Sequence, residues 1–180
     1  GNSIMNYEMS NNFNYEMNKL TIITIVLIFL VVLFTFKSLI IPFILVLLIQ
    51  CAVYILMGII NILDMKVYYL SLLIVQSILM GATIDYAILF TNYYKELRKE
   101  NSIRISLKET YNKSIHTILT SSLIMIIITG ILGFIFKDPA IGEICHIIAI
   151  GVTIAVSLIL FVLPSIIVLF DKKIVNNKSK

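Results

Sequence analysis

Apolar residues run through this chain in five long blocks, each closed by a short polar stretch. A helix that crosses hydrocarbon needs about 20 mostly apolar residues. The blocks reach that length and predict spans over 20–36, 40–60, 68–94, 115–136 and 144–170. Pro42 falls in the first turn of the second span, where a missing N–H does no harm. Pro164 falls near the end of the fifth. Residues 102–113, SIRISLKETYNK, are patterned differently. Ile103, Leu107 and Tyr111 recur every four residues, with Arg104, Lys108 and Glu109 elsewhere around the turn. That spacing predicts a short amphipathic helix lying on the cytoplasmic membrane face. Residues 1–19 form a polar lead-in that carries NYEM twice, at 6–9 and 14–17, too few copies for a repeat architecture. Residues 171–180 form a basic tail. The expected fold is all-α, a polytopic transmembrane helix bundle over 20–170.

Composition agrees. Hydrophobic residues make up 59% of the 180 and the mean hydropathy is +1.01, whereas soluble domains are about half apolar. The net charge of +4 gains meaning only once it is placed along the chain. Of the fourteen basic residues, eleven fall on one side of the expected membrane: Lys37, the group from Lys95 to Lys113, and the tail. Lys19, Lys66 and Lys137 fall on the other. The positive-inside rule then puts the N-terminus outside and the C-terminus in the cytoplasm. Basic residues gathered at membrane edges argue against nucleic-acid binding. Cys51 and Cys145 stand in separate apolar runs, without disulfide or zinc spacing, and read as small buried hydrophobes. His116 and His146 fall on opposite membrane sides and cannot share a metal. Gly130, Gly133 and Gly151 are expected to let helices approach closely.

The third span holds the chemistry. Asp85 lies ten residues before Lys95, or ~15 Å at ~1.5 Å per residue, which is about mid-bilayer. A carboxyl group in apolar surroundings favours its neutral form. Intramembrane acids mark proton or substrate paths and face a bundle interior or a water-filled cavity. Ser77, Gly81 and Asp85 are spaced four apart and form one stripe. Gly81 removes bulk one turn from the carboxyl. Tyr86 adds a phenol about 100° round the helix, aimed at another helix. Gln76 and Asn92 are further polar positions of this span. In the fourth span Thr117, Thr120, Ser121, Ser122 and Thr129 are available for packing or for proton and water contact. Of these, Thr120 and Ser121 stand nearest the polar level of the third span.

These residues resemble a known family. GATIDY, residues 81–86, is similar to the Gly-x-x-x-Asp-Tyr motif of the resistance–nodulation–division superfamily, most closely its MMPL-type exporters. FTFKSLIIP resembles the family's junction between two helices, and the last helix with LPSIIVLFDKK fits as well. The resemblance covers nearly the whole chain. It implies a transporter of two similar halves, each with six helices and a large external domain between its first and second. This chain would be helices two to six of one half, the second by its short basic tail, with residues 1–19 as the end of the external domain. The first residue, Gly rather than Met, also suggests a piece of a longer protein. The resemblance implies a proton relay through Asp85 and Tyr86, with Ser77, Gly81, Thr120 and Ser121 in support. Their partners would come from the other half or a second copy. Protons would be the coupling ion, with no other cofactor and no metal. The substrate would be a lipid, lipophilic compound or drug, and the setting a multi-pass protein of the cell membrane.

Three other readings have distinct signatures. A protein-translocation accessory half of the SecD/SecF kind would differ chiefly in its external domain. A sterol-sensing-like receptor module would keep its activity without the Asp85 carboxyl. An intramembrane protease needs a second aspartate or a Ser-His pair at one depth, and the sequence offers neither. No enzyme activity is expected.

Overall fold

The computed structural model describes residues 2–63, 67, 69–136, 138–171 and 174. Among them are five α-helices and no strand: α1 Asn2–Phe36, α2 Ile40–Ile62, α3 Tyr69–Leu97, α4 Ile103–Ile135 and α5 Pro139–Leu169. Each contains a stretch long and apolar enough to cross a membrane. Lys66, Lys137 and the basic tail, apart from Asp171 and Ile174, lie outside the described residues.

Three boundaries differ from the sequence pattern. Helix α1 begins at Asn2, although its apolar stretch is Asn18–Phe36. No Gly or Pro interrupts residues 2–36, so the polar lead-in continues the helix instead of ending it. Residues 103–113 are not a separate surface helix but the first turns of α4. At 33 residues and ~1.5 Å each, α4 is ~50 Å long, more than a ~30 Å hydrocarbon core needs. Helix α5 starts at Pro139 rather than 144. Asp138 caps it, its side chain accepting from the Ala140 amide at 2.9 Å, and proline follows in the first turn, where its fixed φ suits a helix start.

Helices α2, α3 and α5 form the centre. Between 39% and 44% of their span residues are buried, against 17% for α1 and 11% for α4, so these two are the outer members. Helix α1 rests on α2 and α3; α4 rests on α3 and α5. The core is built from Leu45, Leu56, Leu79, Met80, Phe90, Ile159 and Leu163 among others. Gly151 stands where an added Cβ would meet Leu56 and Leu79 at 3.0–3.2 Å, so this position lets α5 press against α2 and α3. Gly133 does the same for the ring of His146, whereas Gly130 faces open space and does not serve the close approach expected of it.

The buried face of α4 is Ser106, Thr110, Ser114, Ile118 and Ser122. Small side chains every fourth residue allow close helix approach where lipid supplies no hydrophobic drive. Ser106 Oγ makes no hydrogen bond, but the hydroxyls of Thr110, Ser114 and Ser122 turn back on their own helix. Thr110 donates to the Ser106 carbonyl and Ser114 to that of Thr110, both at 2.7 Å. Helix α1 meets α3 through a polar pair, Gln76 Nε2 donating to Thr21 Oγ1.

Helix α1 ends at Phe36, and Lys37 takes a left-handed backbone with φ of 49°. Its amide closes the helix on Leu33 O at 2.8 Å. Lys95 of α3 donates to the Phe36 carbonyl at 2.8 Å and lies 5.5 Å from the Phe36 ring centroid. A cation at the carbonyl end of a helix is well placed both for its dipole and for its unpaired oxygens.

Candidate functional site

Helix α3 has two unlike faces. Val75, Leu79, Met80, Ala87, Phe90 and Tyr94 turn inward and are buried. Ser77, Gly81, Asp85, Asn92 and Glu96 turn outward and are exposed. Asp85 stands fourteen residues beyond Ser71 and twelve short of Leu97, the ends of the apolar stretch, close to its centre. Ser77 Oγ donates to Leu73 O at 2.9 Å. Nothing lies within 4 Å of where a Gly81 Cβ would be, so an open notch sits one turn from the carboxyl. Tyr86 is half-buried and packs against the core.

The acid therefore lies on the outside of this five-helix bundle and not in its interior. The apolar residues of α3 take up the inward positions, and the acid falls on what is left. A charged side chain at the bilayer centre costs about 2.5–3.5 kcal/mol on insertion scales. Contact with protein or water removes that cost. Exposed polar residues also stand on α4, at Thr117, Thr120 and Ser121, among the exposed Ile115, Leu119 and Leu123. Phe90 and Tyr111 mark where α3 and α4 touch, their rings 5.3 Å apart. Gly81 and Thr120 are each nine residues outward from that contact, at a common level. Among the described residues, no hydrogen bond joins Asp85, Tyr86, Thr120 or Ser121 to one another.

A second polar cluster, which the sequence pattern did not single out, lies at the basic end. Asp171 is 5% exposed. Arg98 grips it with two parallel bonds, Nε to Oδ1 and Nη2 to Oδ2, each 3.0 Å. The Tyr94 phenol donates to Oδ1 at 2.7 Å. Two-pronged Arg–carboxylate contact is among the strongest of side-chain pairings. The hydrogen bond to Asp171 is the chief cause that raises the Arg98 pKa above its ordinary value. One signal was available: Asp171 is an acid among lysines directly after an apolar run, and Tyr94 and Arg98 are one turn apart.

His146 belongs to the packing of α4 on α5. Its Nδ1–H donates to Gly142 O at 2.9 Å, and its ring meets Phe134 edge-on at 4.7 Å. Cys51 is exposed and Cys145 half-buried, and both are free thiols. No group of three or more potential metal ligands occurs among the described residues.

Five membrane-length helices with a lone acid at mid-span of the third define a polytopic membrane protein with a polar, uncovered face. The chain belongs to the MMPL family, whose model matches residues 1–180. Membership points to a membrane transporter of the resistance–nodulation–division type. No curated protein and no solved structure matches the chain significantly.

Proposed function

We propose that this chain is part of a proton-motive-force-driven exporter, in which Asp85 takes up and releases the coupling proton and Tyr86 supports it. One observation carries this reading: the carboxyl of Asp85 sits at mid-span, on an outward face, beside the open notch at Gly81. A body of matching shape, the other transmembrane half or a second copy, covers that face. It brings its own groups to Asp85, with Thr120 and Ser121 at the rim. Protonation removes the charge that makes close apolar packing costly. Release restores that charge and favours hydration. The two states therefore favour two packings of the halves. Each proton crossing contributes about 2.3 kcal/mol per 100 mV. The basic end lies in the cytoplasm of the cell membrane, and the substrate is lipophilic, handled by external domains joined to α1.

The test uses the full-length protein in vesicles with an imposed pH gradient. Asp85→Asn keeps the shape of the side chain but cannot ionise. Proton flux and substrate efflux are expected to fall to background while the purified protein keeps its wild-type melting temperature. Transport that persists in the folded variant would refute the relay.

A further inference from the structure

Helix α5 contains a break in its hydrogen bonding. Pro164 lies inside the helix. Proline has no amide N–H, so the carbonyl four residues earlier loses its helix partner. That carbonyl belongs to Leu160, which is 9% exposed. In a membrane a freed backbone group must find a partner within the protein. The phenol of Tyr111, on α4, donates to the Leu160 carbonyl. Thus the group that Pro164 releases is the one that Tyr111 takes up.

The Tyr111 ring is itself held. Phe90 of α3, fully buried, meets it edge-on with an interplanar angle of 77°. Phe90 is five residues beyond Asp85 on the same helix. Past Pro164 the chain continues to Asp171, which Arg98 and Tyr94 of α3 grip. Residues 160–171, with Pro164 between them, are therefore pinned at both ends. Helix α3 stands behind both pins, through Phe90 and Tyr111 at one and directly at the other.

We propose that Tyr111 is the positioning residue of a hinge at Pro164: it clamps α5 at the Leu160 carbonyl, just before the hinge, so that movement of α3 swings the segment beyond it. The coupling to α3 rests on the relay role of Asp85; the clamp itself does not. Two substitutions separate the clamp from simple space filling. Tyr111→Phe keeps the ring and its contact with Phe90 but removes the donor. Pro164→Ala restores an amide that can bond Leu160 O, and the phenol is then no longer needed.

The experiment is amide hydrogen exchange on the full-length protein in lipid nanodiscs, read at residues 165–171. Wild type, each single variant and the double variant are compared. Loss of one hydrogen bond corresponds to exchange faster by up to about tenfold. Tyr111→Phe is expected to show that acceleration. Pro164→Ala is expected to slow exchange, and the double variant to match Pro164→Ala alone. If Tyr111→Phe accelerates exchange equally in both backgrounds, or in neither, the clamp is wrong. Asp85→Asn, with Tyr111 intact, is then expected to change exchange in the same segment. An unchanged segment alongside abolished flux overturns the coupling but not the relay. Flux that survives Asp85→Asn removes the relay, and the coupling with it, while the clamp stands on its own exchange result.

Discussion

Gly81 and Gly133 are both helical glycines, and their surroundings decide opposite outcomes for the same substitution. A Cβ at Gly81 meets nothing in this chain. Alanine there gains helix propensity of about 0.5–1 kcal/mol, and the bundle is expected to be as stable as before or slightly more so. At Gly133 a Cβ would run into the His146 ring. The imidazole would have to leave its bond to Gly142 O and its contact with Phe134. Overpacking of this kind costs about 1–3 kcal/mol. Thermal unfolding of the two purified variants in one detergent checks the contrast. A Gly133→Ala protein as stable as Gly81→Ala would show that the ring moves freely. Function is expected to run the other way. Gly81→Leu fills the notch beside Asp85 and should cut proton-driven flux roughly tenfold or more by holding the covering body away.

At the scale of helices, the latch between α3 and the end of α5 yields a graded expectation. Tyr94→Phe removes one hydrogen bond to a charged group, about 1.5–3 kcal/mol. Arg98→Ala leaves the Asp171 carboxylate buried without its cation, a larger loss, moderated because the Arg98 side chain is 24% exposed. Unfolding of both variants in detergent should rank them in that order, and the reverse order would mean that the ion pair is ornamental. The pH dependence has a definite sign. A base whose pKa is raised on folding stabilises the fold below its unfolded value and loses that contribution only at still higher pH. The deficit of Arg98→Ala against wild type is therefore expected to be the same at pH 7 and about pH 10. The helices differ in how far they could be read. Apolar length alone revealed all five, because a span must bury its backbone polar groups by forming a helix. A helix over 102–113 was legible, but its continuity with the fourth span was hidden because Ser106, Thr110 and Ser114 look like solvent positions. They are buried seam residues whose small size matters more than their polarity, since hydroxyls can bond back to their own helix. The start of α5 was written in Asp138 and Pro139, but a reading by hydropathy passes over such capping residues. The Asp171 latch joins residues 73 positions apart, and no local pattern encodes such a pairing.

For the whole molecule, the question is what covers the outer face of α3. The stripe of Ser77, Gly81 and Asp85 was legible from its spacing of four, but which way it faces depends on how the other helices pack. Two surfaces of the bundle look equally exposed and should behave differently in the complete protein. On α1, Ile22, Val26, Leu30 and Phe34 are exposed and wholly apolar, as a surface against lipid tails should be. On α3 and α4, the exposed Ser77, Asp85, Thr120 and Ser121 gain nothing from lipid, and an ionised Asp85 would lose by it. Spin labels distinguish the two. With Cys51 and Cys145 replaced by Ala, single cysteines at Leu30, Phe34, Ser77 and Thr120 of the full-length protein are labelled in vesicles. Oxygen concentrates in the hydrocarbon, so a label in lipid relaxes quickly with oxygen and a covered one does not. Labels at Leu30 and Phe34 are expected to report lipid. Those at Ser77 and Thr120 are expected to report low oxygen access, from protein or water around them. If all four report the same access, α3 presents its acid to the bilayer, and a covering partner has no part in how this bundle keeps a carboxyl at mid-membrane.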